Sequence, residues 1–389
     1  MARTHPTERT EHGTAIAFNR PYATGAELDY IREAIANAHV SGNGPFTRRC
    51  TEHLEQELGS GRVLLTHSCT GALEMAVLLA DIAAGDEVIL PSFAFPSLPN
   101  AVALRGGVPV FVDIRADTLN LDEQLIEDAI TDRTRALAPI DYAGVGCELE
   151  AFSSLSRAHG LVLIEDAAQG YGASYRGHPL GTQADVACLS FHETKNVMCG
   201  EGGALLVNRS DWVERAEIIQ EKGTDRSKFF RGEVDKYTWV DLGSSYLMSD
   251  MEAAFLWAQL EQAREITAKR LAVWNAYHAA LADLEDSGRL RRPIVPDHCN
   301  HNAHMYNVLL ERGRDRAALL QRLSDAGVHA VSHYVPLHSS PAGIRYGRAH
   351  GSLEVTEDVA ARLLRLPLWV GMTVEDAAYV SDALRRSLP

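Results

Sequence analysis

The sequence predicts an α/β fold, a mostly parallel mixed sheet covered by helices, followed by a smaller C-terminal α+β domain. Three observations carry this reading. Between residues 60 and 210, short apolar runs alternate with helical patterns, the order that builds parallel sheets through crossovers. The runs are rich in Val, Leu and Ile without polar alternation, as strands buried on both faces require. The chain has 389 residues at 46% hydrophobic composition, enough for two lobes and a large core.

Taken in order, residues 1–16 read as a flexible lead-in. The stretch "MARTHPTERTEHGTAIAF" is polar and lacks the apolar segment of a signal peptide. Strands are expected at "RVLLTHS", "DEVILPSF", "VPVFVDI", "RALAPIDY", "GLVLIEDA", "VACLSFH" and "GALLVN", each bounded by Gly, Pro, Asp or Ser. Helices are expected at "TGALEMAVLLADIA" and "LEAFSSLSRAHG". Residues 249–284 read as one long amphipathic helix with a kink, joining the lobes. The small lobe begins after "LRRPIVP", where Pro293 and Pro296 mark a linker. It carries "NAHMYNVLLE" and "HAVSHYVPLH" as strands, with helices at "DRAALLQRLSDAG" and the C-terminus. The division is 1–16 lead-in, 17–255 large domain, and 256–389 linking helix with small domain.

The formal net charge is −15 and the isoelectric point about 5.5. Such a chain repels nucleic acid and anionic membrane, so neither is expected as a partner. No apolar run reaches the length of a membrane span. An anionic small substrate would need a local basic or amide-lined pocket. Cys50, Cys69, Cys147, Cys188, Cys199 and Cys299 are scattered, with no C-x-x-C, which suits a reduced, cytoplasmic setting. His192, His304, His333 and His338 lack metal-ligand spacing, so no metal is expected. No G-x-G-x-x-G follows the first strand, which argues against a dinucleotide fold.

Four stretches could carry chemistry. In "LVLIEDAAQG", Glu165 and Asp166 end a buried strand, and Gln169 follows. Asp166 could cap the next helix, or pair with a cationic heterocycle such as a protonated pyridine. In "CLSFHETKNVMCGEGG", Lys195 leaves the end of the next strand, on the same rim as Asp166. The gap between them fits a helical turn region and one further strand. An amine there can have a lowered pKa and form a Schiff base, or be an ordinary solvated lysine. Gly200, Gly202 and Gly203 allow tight turns around a cofactor. In "THSCTGALEMA", Ser68, Cys69, Thr70 and Gly71 precede a helix, as a plain cap or an anion site, and Ser190 could add a hydroxyl. In "PSFAFPSLPN", Phe93 and Phe95 alternate at a strand end, as core or as a stacking face for a flat ring.

The combination "SCTGALEMA", "PSFAF", "EDAAQG", "SFHETKN" with "GEGG", and "GSSYLMSD" resembles the DegT/DnrJ/EryC1/StrS family of sugar aminotransferases, over about residues 17 to 388. "QEKGTDRSKFFRGEVDKYTW" and "GSSYLMSD" look most like the branch that aminates TDP-4-keto-6-deoxyglucose to TDP-4-amino-4,6-dideoxygalactose. The resemblance implies a fold-type I, aspartate aminotransferase-like enzyme using pyridoxal 5′-phosphate. Lys195 matches the lysine that holds the cofactor and serves as base and acid. Asp166 matches the carboxylate on the pyridine nitrogen, Gln169 the amide near the ring hydroxyl, and Phe95 the stacking aromatic. Cys69, Thr70 and Ser190 match phosphate contacts. L-glutamate would be the donor and a nucleotide-linked keto sugar the acceptor, in a homodimer with shared sites. Ser245 lies on the loop that would reach the neighbour's phosphate; Tyr246, Tyr334 and His338 are the expected substrate contacts. Two positions depart from the pattern: Ser245 and Leu247 stand where many members have Asn and Arg, and Asp141 in "PIDYAG" stands where His is common. Lys195 argues against the branch that carries histidine instead and dehydrates. A 3-keto sugar, a 4-keto pentose or a dehydration are the alternative chemistries. The pathway would serve natural-product or antigen glycosylation.

Overall fold

The computed structural model describes residues 9–10 and 13–388. All seven predicted runs form strands: β1 Arg62–Thr66, β2 Glu87–Pro91, β3 Val108–Val112, β4 Thr134–Leu137, β5 Val162–Asp166, β6 Val186–Ser190 and β7 Gly203–Val207. Later strands are β8 Leu290–Arg291, β9 Tyr306–Leu310, β10 Val331–Ser332, β11 Arg348–Ala349 and β12 Leu363–Leu366. The large sheet runs β11-β3-β2-β4-β5-β6-β7-β1. Neighbours are parallel from β11 to β6 and antiparallel on both sides of β7.

Alternate residues of each strand feed opposite cores, which is why the runs carry no polar alternation. On one face, Val88, Leu90, Val186 and Leu205 meet the helices Cys69–Leu79, Ser97–Leu104 and Val213–Gln220. On the other, Val63, Ile89, Leu163 and Leu189 meet Pro45–Leu58, Leu149–His159 and Asp250–Glu261. Truncating one of these fully buried leucines to alanine costs about 2–5 kcal/mol.

The expected linking helix is three helices, Asp250–Glu261, Ala263–Ala280 and Ala282–Asp286, broken at Gln262 and Leu281. The first starts in a capping box between Ser249 and Glu252 and packs on Glu27–Ala36 and Pro45–Leu58. The second packs on Val374–Ser387 of the small domain. The break at Gln262 separates the helix that packs on the first two helices from the one that packs on the C-terminal helix. The small domain is the antiparallel sheet β8-β9-β12-β10, covered by Ala263–Ala280, Arg316–Asp325 and Val374–Ser387.

Other expectations are corrected. "HAVSHYVPLH" reduces to the short β10, β12 was not foreseen, and β11 adds to the far edge of the large sheet. No helix lies between β5 and β6; that segment turns through Ser174–Tyr175 and His178–Pro179. Of the lead-in, residues 1–8, 11 and 12 lie outside the described residues. Its end is not loose: Ile16 is buried, donates to Gly327 O at 2.8 Å and accepts from His329 N–H at 3.1 Å. Those bonds tie it to the small domain.

Candidate active site

Asp166 and Ser190 end the adjacent parallel strands β5 and β6, with Asp166 opposite Cys188. Both stand at the carboxyl rim, where open α/β sheets bind ligands. The antiparallel β7 starts at the same rim, Gly203 lying opposite both Ser190 and Thr66. Over that row begins the helix Cys69–Leu79. Ser68 caps it, its Oγ accepting the Gly71 N–H at 3.0 Å. A Cβ at Gly203 would lie 2.4 Å from Cys69 N and 2.6 Å from Ser68 C. Glycine there lets the helix N-terminus rest directly on the rim, beside the Ser190 hydroxyl.

A cavity of about 490 Å³ opens at this rim. Of the residues singled out in the sequence, Cys69, Thr70, Phe95, Asp166, Gln169, Ser190, Lys195 and Tyr334 line it. Phe95 is 61% exposed and offers a free ring face, whereas Phe93 is core. Three expected residues do not line it. Ser245 is exposed and bridges to Glu221. Tyr246 is buried against His67, ring centroids 6.0 Å apart, and faces a smaller cavity near Glu74 and Arg105. His338 is held between Ser92 Oγ at 2.7 Å and Glu357 at 3.0 Å. Both ring nitrogens are therefore engaged within the protein.

The charges are tuned by burial. Burial pushes the Asp166 carboxyl above its ordinary value; the Ala168 N–H, donating at 3.1 Å, and the Lys195 charge oppose it. Burial pushes the Lys195 amine below its ordinary value, against the pull of Cys69 and Asp166; the Arg365 charge adds to the fall. Gln169 Oε1 accepts the Ala143 N–H at 2.7 Å, which fixes its Nε2 toward the cavity and the Tyr334 hydroxyl at 3.4 Å. Behind Asp166 lie the fully buried carboxyls of Asp141 and Glu165, each raised above its ordinary value chiefly by burial. Asp141 Oδ1 accepts the Cys147 N–H, and Glu165 Oε1 the Gly181 N–H.

The sequence reading missed Phe18, Arg270, His304, His333 and Arg365, all on the cavity wall. Arg270 gives Nε to Ala303 O at 3.1 Å and Nη2 to His304 O at 2.7 Å. His304 is kept neutral by burial and by the Lys195 and Arg270 charges; its Nδ1 lies 3.3 Å from Asn196 Oδ1. Asn302 braces the wall, its Nδ2 donating to Gln169 O and Tyr171 O. One signal was available: arginine inside "RLLRLPL" breaks an otherwise apolar strand.

These residues fit pyridoxal phosphate. The capped helix N-terminus with Thr70 and Ser190 suits a phosphate. A buried carboxyl that forms no ion pair among the described residues, Asp166, suits a ring N–H. The depressed amine suits an aldehyde, Phe95 the ring face, and the Gln169 amide the ring oxygen. No metal-ligating cluster occurs among the described residues.

Comparisons with known proteins agree. Residues 21–385 match the model of the DegT/DnrJ/EryC1/StrS aminotransferase family. The chain is 31% identical to the uncharacterized protein MJ1066 of Methanocaldococcus jannaschii, over 94% of this chain and 96% of that protein. It is similar in structure to the aminotransferase TlmJ of Streptoalloteichus hindustanus, with a TM-score of 0.88, 30% identity, and coverage of 96% and 99%. DesI, solved in the presence of its TDP-sugar product, gives a TM-score of 0.85 at 28% identity, covering 96% of this chain and 92% of that one. The chain belongs to the DegT/DnrJ/EryC1/StrS aminotransferase family, and it is a sugar aminotransferase of pyridoxal-phosphate fold-type I whose cofactor is pyridoxal 5′-phosphate.

Proposed function

We propose that this enzyme moves the amino group of L-glutamate to a TDP-linked 4-keto-6-deoxy sugar, giving a TDP-4-amino-4,6-dideoxy sugar. The observation that carries it is one rim bearing Lys195, Asp166 and the Ser68-capped helix around a single cavity. The sugar assignment draws on the "GSSYLMSD" and "QEKGTDRSKFFRGEVDKYTW" segments and on the TDP-sugar product of DesI. We assign the enzyme to the cytoplasm and to glycosylation of a natural product or surface antigen.

When bound, pyridoxal phosphate supplies an electron sink that makes the donor's α-proton removable. The rest falls to the chain. Lys195 would hold the cofactor covalently, burial lowering its pKa and so favouring the neutral, nucleophilic form of the amine. Released by the donor, Lys195 Nζ takes the α-proton and carries it across, as base and then acid. Asp166, buried at the strand end, would face the ring nitrogen and favour its protonated form. Gln169 and Phe95 orient the ring, and the helix N-terminus with Thr70 and Ser190 anchors the phosphate. With the keto sugar the same groups act in reverse order.

We further propose a homodimer with shared sites. The phosphate cradle at Ser68, Thr70 and Ser190 is read from hydroxyls and a helix N-terminus. Ser245 is exposed, on a segment that also exposes Phe230, Tyr237 and Trp239. A second copy would cover that segment and lend Ser245 to the neighbour.

The test is proton NMR on the product formed from enzyme, cofactor, L-glutamate and TDP-4-keto-6-deoxyglucose. A new 4-amino sugar with stoichiometric 2-oxoglutarate is expected, and its H4 couplings give the amine as axial or equatorial. Sugar consumed without 2-oxoglutarate would mean dehydration and refute the assignment. No reaction with a yellow protein would move the substrate to another keto sugar.

A further inference from the structure

The small domain sends one long excursion across the large one. β10 and β12 are neighbours in the small-domain sheet, Val331 opposite Arg365 and Ser332 opposite Leu364. Residues 333–362 connect them and are fastened to the edge of the large sheet on the way. The Leu337 N–H donates to Ser92 O at 3.0 Å, and the His338 N–H to Ser92 Oγ at 3.1 Å. The chain then turns through the helix Pro341–Tyr346 and pairs in parallel as β11, Arg348 opposite Val110 and Ala349 opposite Phe111. Asp113, after β3, accepts the Val355 and Thr356 N–H groups at 2.9 and 2.8 Å, where the helix Glu354–Arg362 leads back to β12. A connection this long between adjacent strands asks for a reason.

The strongest fastening is an ion pair at the start of β2. Arg348 gives Nε to Glu87 Oε1 at 2.9 Å and Nη2 to Oε2 at 2.8 Å, a two-pronged fork. Arg133 Nη2 and Thr131 Oγ1 donate to the same carboxylate at 2.7 and 2.8 Å. Glu87 is fully buried, so losing a partner there leaves charge uncompensated. Open α/β sheets bind ligands at the carboxyl ends of their strands. Glu87 stands at the other end, so the pair serves placement and not ligand chemistry.

The pair is rigidly linked to the cavity. The Gly347 N–H donates to Gly343 O at 2.9 Å. A Cβ at Gly343 would fall 1.8 Å from Leu337 O, and Ser340 Oγ donates to that oxygen at 2.7 Å. The short helix therefore sits directly on the Leu337 turn. Three residues before that turn, Tyr334 lines the cavity. Its ring lies edge-on to Phe93 at 5.4 Å, and its hydroxyl accepts from Gln169 Nε2 at 3.4 Å. Tyr334 also follows β10 by only two residues. Unfastened, it would move with the small domain, and relative motion of lobes is the ordinary expectation.

We propose that Glu87 and Arg348 are positioning residues of the active site: their ion pair fastens the 333–362 excursion to the sheet edge and so keeps Tyr334 against Gln169, independently of the small domain. A swing of the small domain about Gln262 would have to break the ion pair, the β11 pairing and the Asp113 contacts together. The cavity is therefore shaped before a substrate enters, with no need of domain closure.

The test compares the holoenzyme variants Arg348→Gln and Gly347→Ala with Arg133→Gln. At Gly347 a Cβ would meet Phe111 Cε2 at 2.6 Å and Pro109 O at 2.8 Å, which lifts β11 and leaves every charge in place. Arg133 serves the same carboxylate but stands outside the excursion. Hydrogen exchange reads the fastening, and visible circular dichroism of bound pyridoxal phosphate reads the surroundings of the ring. Exchange at residues 337–350 should quicken at least about 10-fold in Arg348→Gln and in Gly347→Ala, with β9 unchanged. The dichroism should change in both at unchanged cofactor affinity, and Arg133→Gln should follow in neither respect. Unaltered exchange refutes the fastening. Quicker exchange with wild-type dichroism makes the pair merely structural and overturns the proposal, as does an equal effect of Arg133→Gln. Should neither excursion variant fold, the wild type decides. Its Leu337, His338 and His350 amides should exchange as slowly as those of β3, and exchange at loop rates overturns the proposal.

Discussion

Gly203→Ala is the sharpest perturbation the structure offers. Its Cβ would fall 2.4 Å from Cys69 N, 2.6 Å from Ser68 C and 2.7 Å from Cys69 Cα. All three are backbone atoms, so no side chain can swing aside. Ordinary contact needs about 1 Å of retreat by the helix start or by β7. Overpacking of this kind costs about 1–3 kcal/mol of stability. The anion-binding power of a helix is confined to its first turn, so the same retreat also weakens the phosphate cradle. The cofactor Kd should rise about 10-fold or more, equivalent to ~1.4 kcal/mol. Two neighbours serve as controls. Gly200 has φ +89° and open space around it, so alanine there strains the backbone by about 1–2 kcal/mol and leaves the cradle alone. At Gly202 the Cβ would meet Cys199 Sγ at 2.5 Å and Met248 Cε at 2.7 Å, a sulfur and a flexible chain end. The assay is pyridoxal-phosphate titration of the apoenzyme by absorbance, with thermal melts of each variant. Wild-type cofactor affinity in Gly203→Ala, or an equal loss in Gly200→Ala, would refute the argument that close approach sets the cradle.

Three further outcomes are expected. Lys195→Ala should abolish borohydride-fixable cofactor absorbance and transamination while retaining phosphate-held cofactor; fixation elsewhere on the chain would reassign the lysine. Asp166→Asn should bind cofactor but lose roughly 10²-fold or more in turnover, since the ring nitrogen loses its proton partner; near-normal turnover would refute that role. Asp141 is pushed up to about 6 by burial, with the Cys147 N–H pulling it back. Its folded pKa is above the unfolded one, so its contribution is full below about pH 4 and lost as pH rises to about 6. Asp141→Asn removes that titration and can donate to Glu165. Its melting temperature should therefore gain on wild type between about pH 4 and 6 and stay parallel above; a flat difference curve would refute the buried pair.

What the sequence made legible was chemistry that is local along the chain. A strand, its terminal carboxylate and a lysine after the next strand are all read from adjacent residues. The Ser68 cap and the glycines are equally local, although only Gly200 uses the conformational freedom first ascribed to all three. Gly203 is needed for a contact with Ser68 and Cys69, far away in the chain, which no turn rule contains. Tyr246 and His338 fall outside the cavity lining for the converse reason. Each is a polar aromatic beside a motif, and only packing decides that one stacks on His67 and the other is spent on Ser92 and Glu357. Arg365 and Phe18 are brought to the cavity from opposite ends of the chain. The linking helix was misread because its apolar pattern continues through Gln262, while the break follows from packing against two different lobes.

The net charge of the chain turns out to say little about the site. Charges on the surface are screened within about 8 Å at physiological salt, whereas Lys195, Arg270 and Arg365 share a poorly hydrated wall. Arg365 is among the causes that lower the Lys195 pKa. An anion placed on Arg365 would cancel that push. The Lys195 nitrogen would then be less basic in the free enzyme, and more basic once a carboxylate donor is seated, the moment at which it must accept a proton. The sign is checkable. In wild type the titration of the cofactor-bound Lys195 nitrogen, followed by cofactor absorbance, should move to higher pH when 2-oxoglutarate is added at saturation. In Arg365→Gln it should start higher and not move. A shift of equal size in both proteins would disconnect the arginine from the lysine and leave it as a binding group alone.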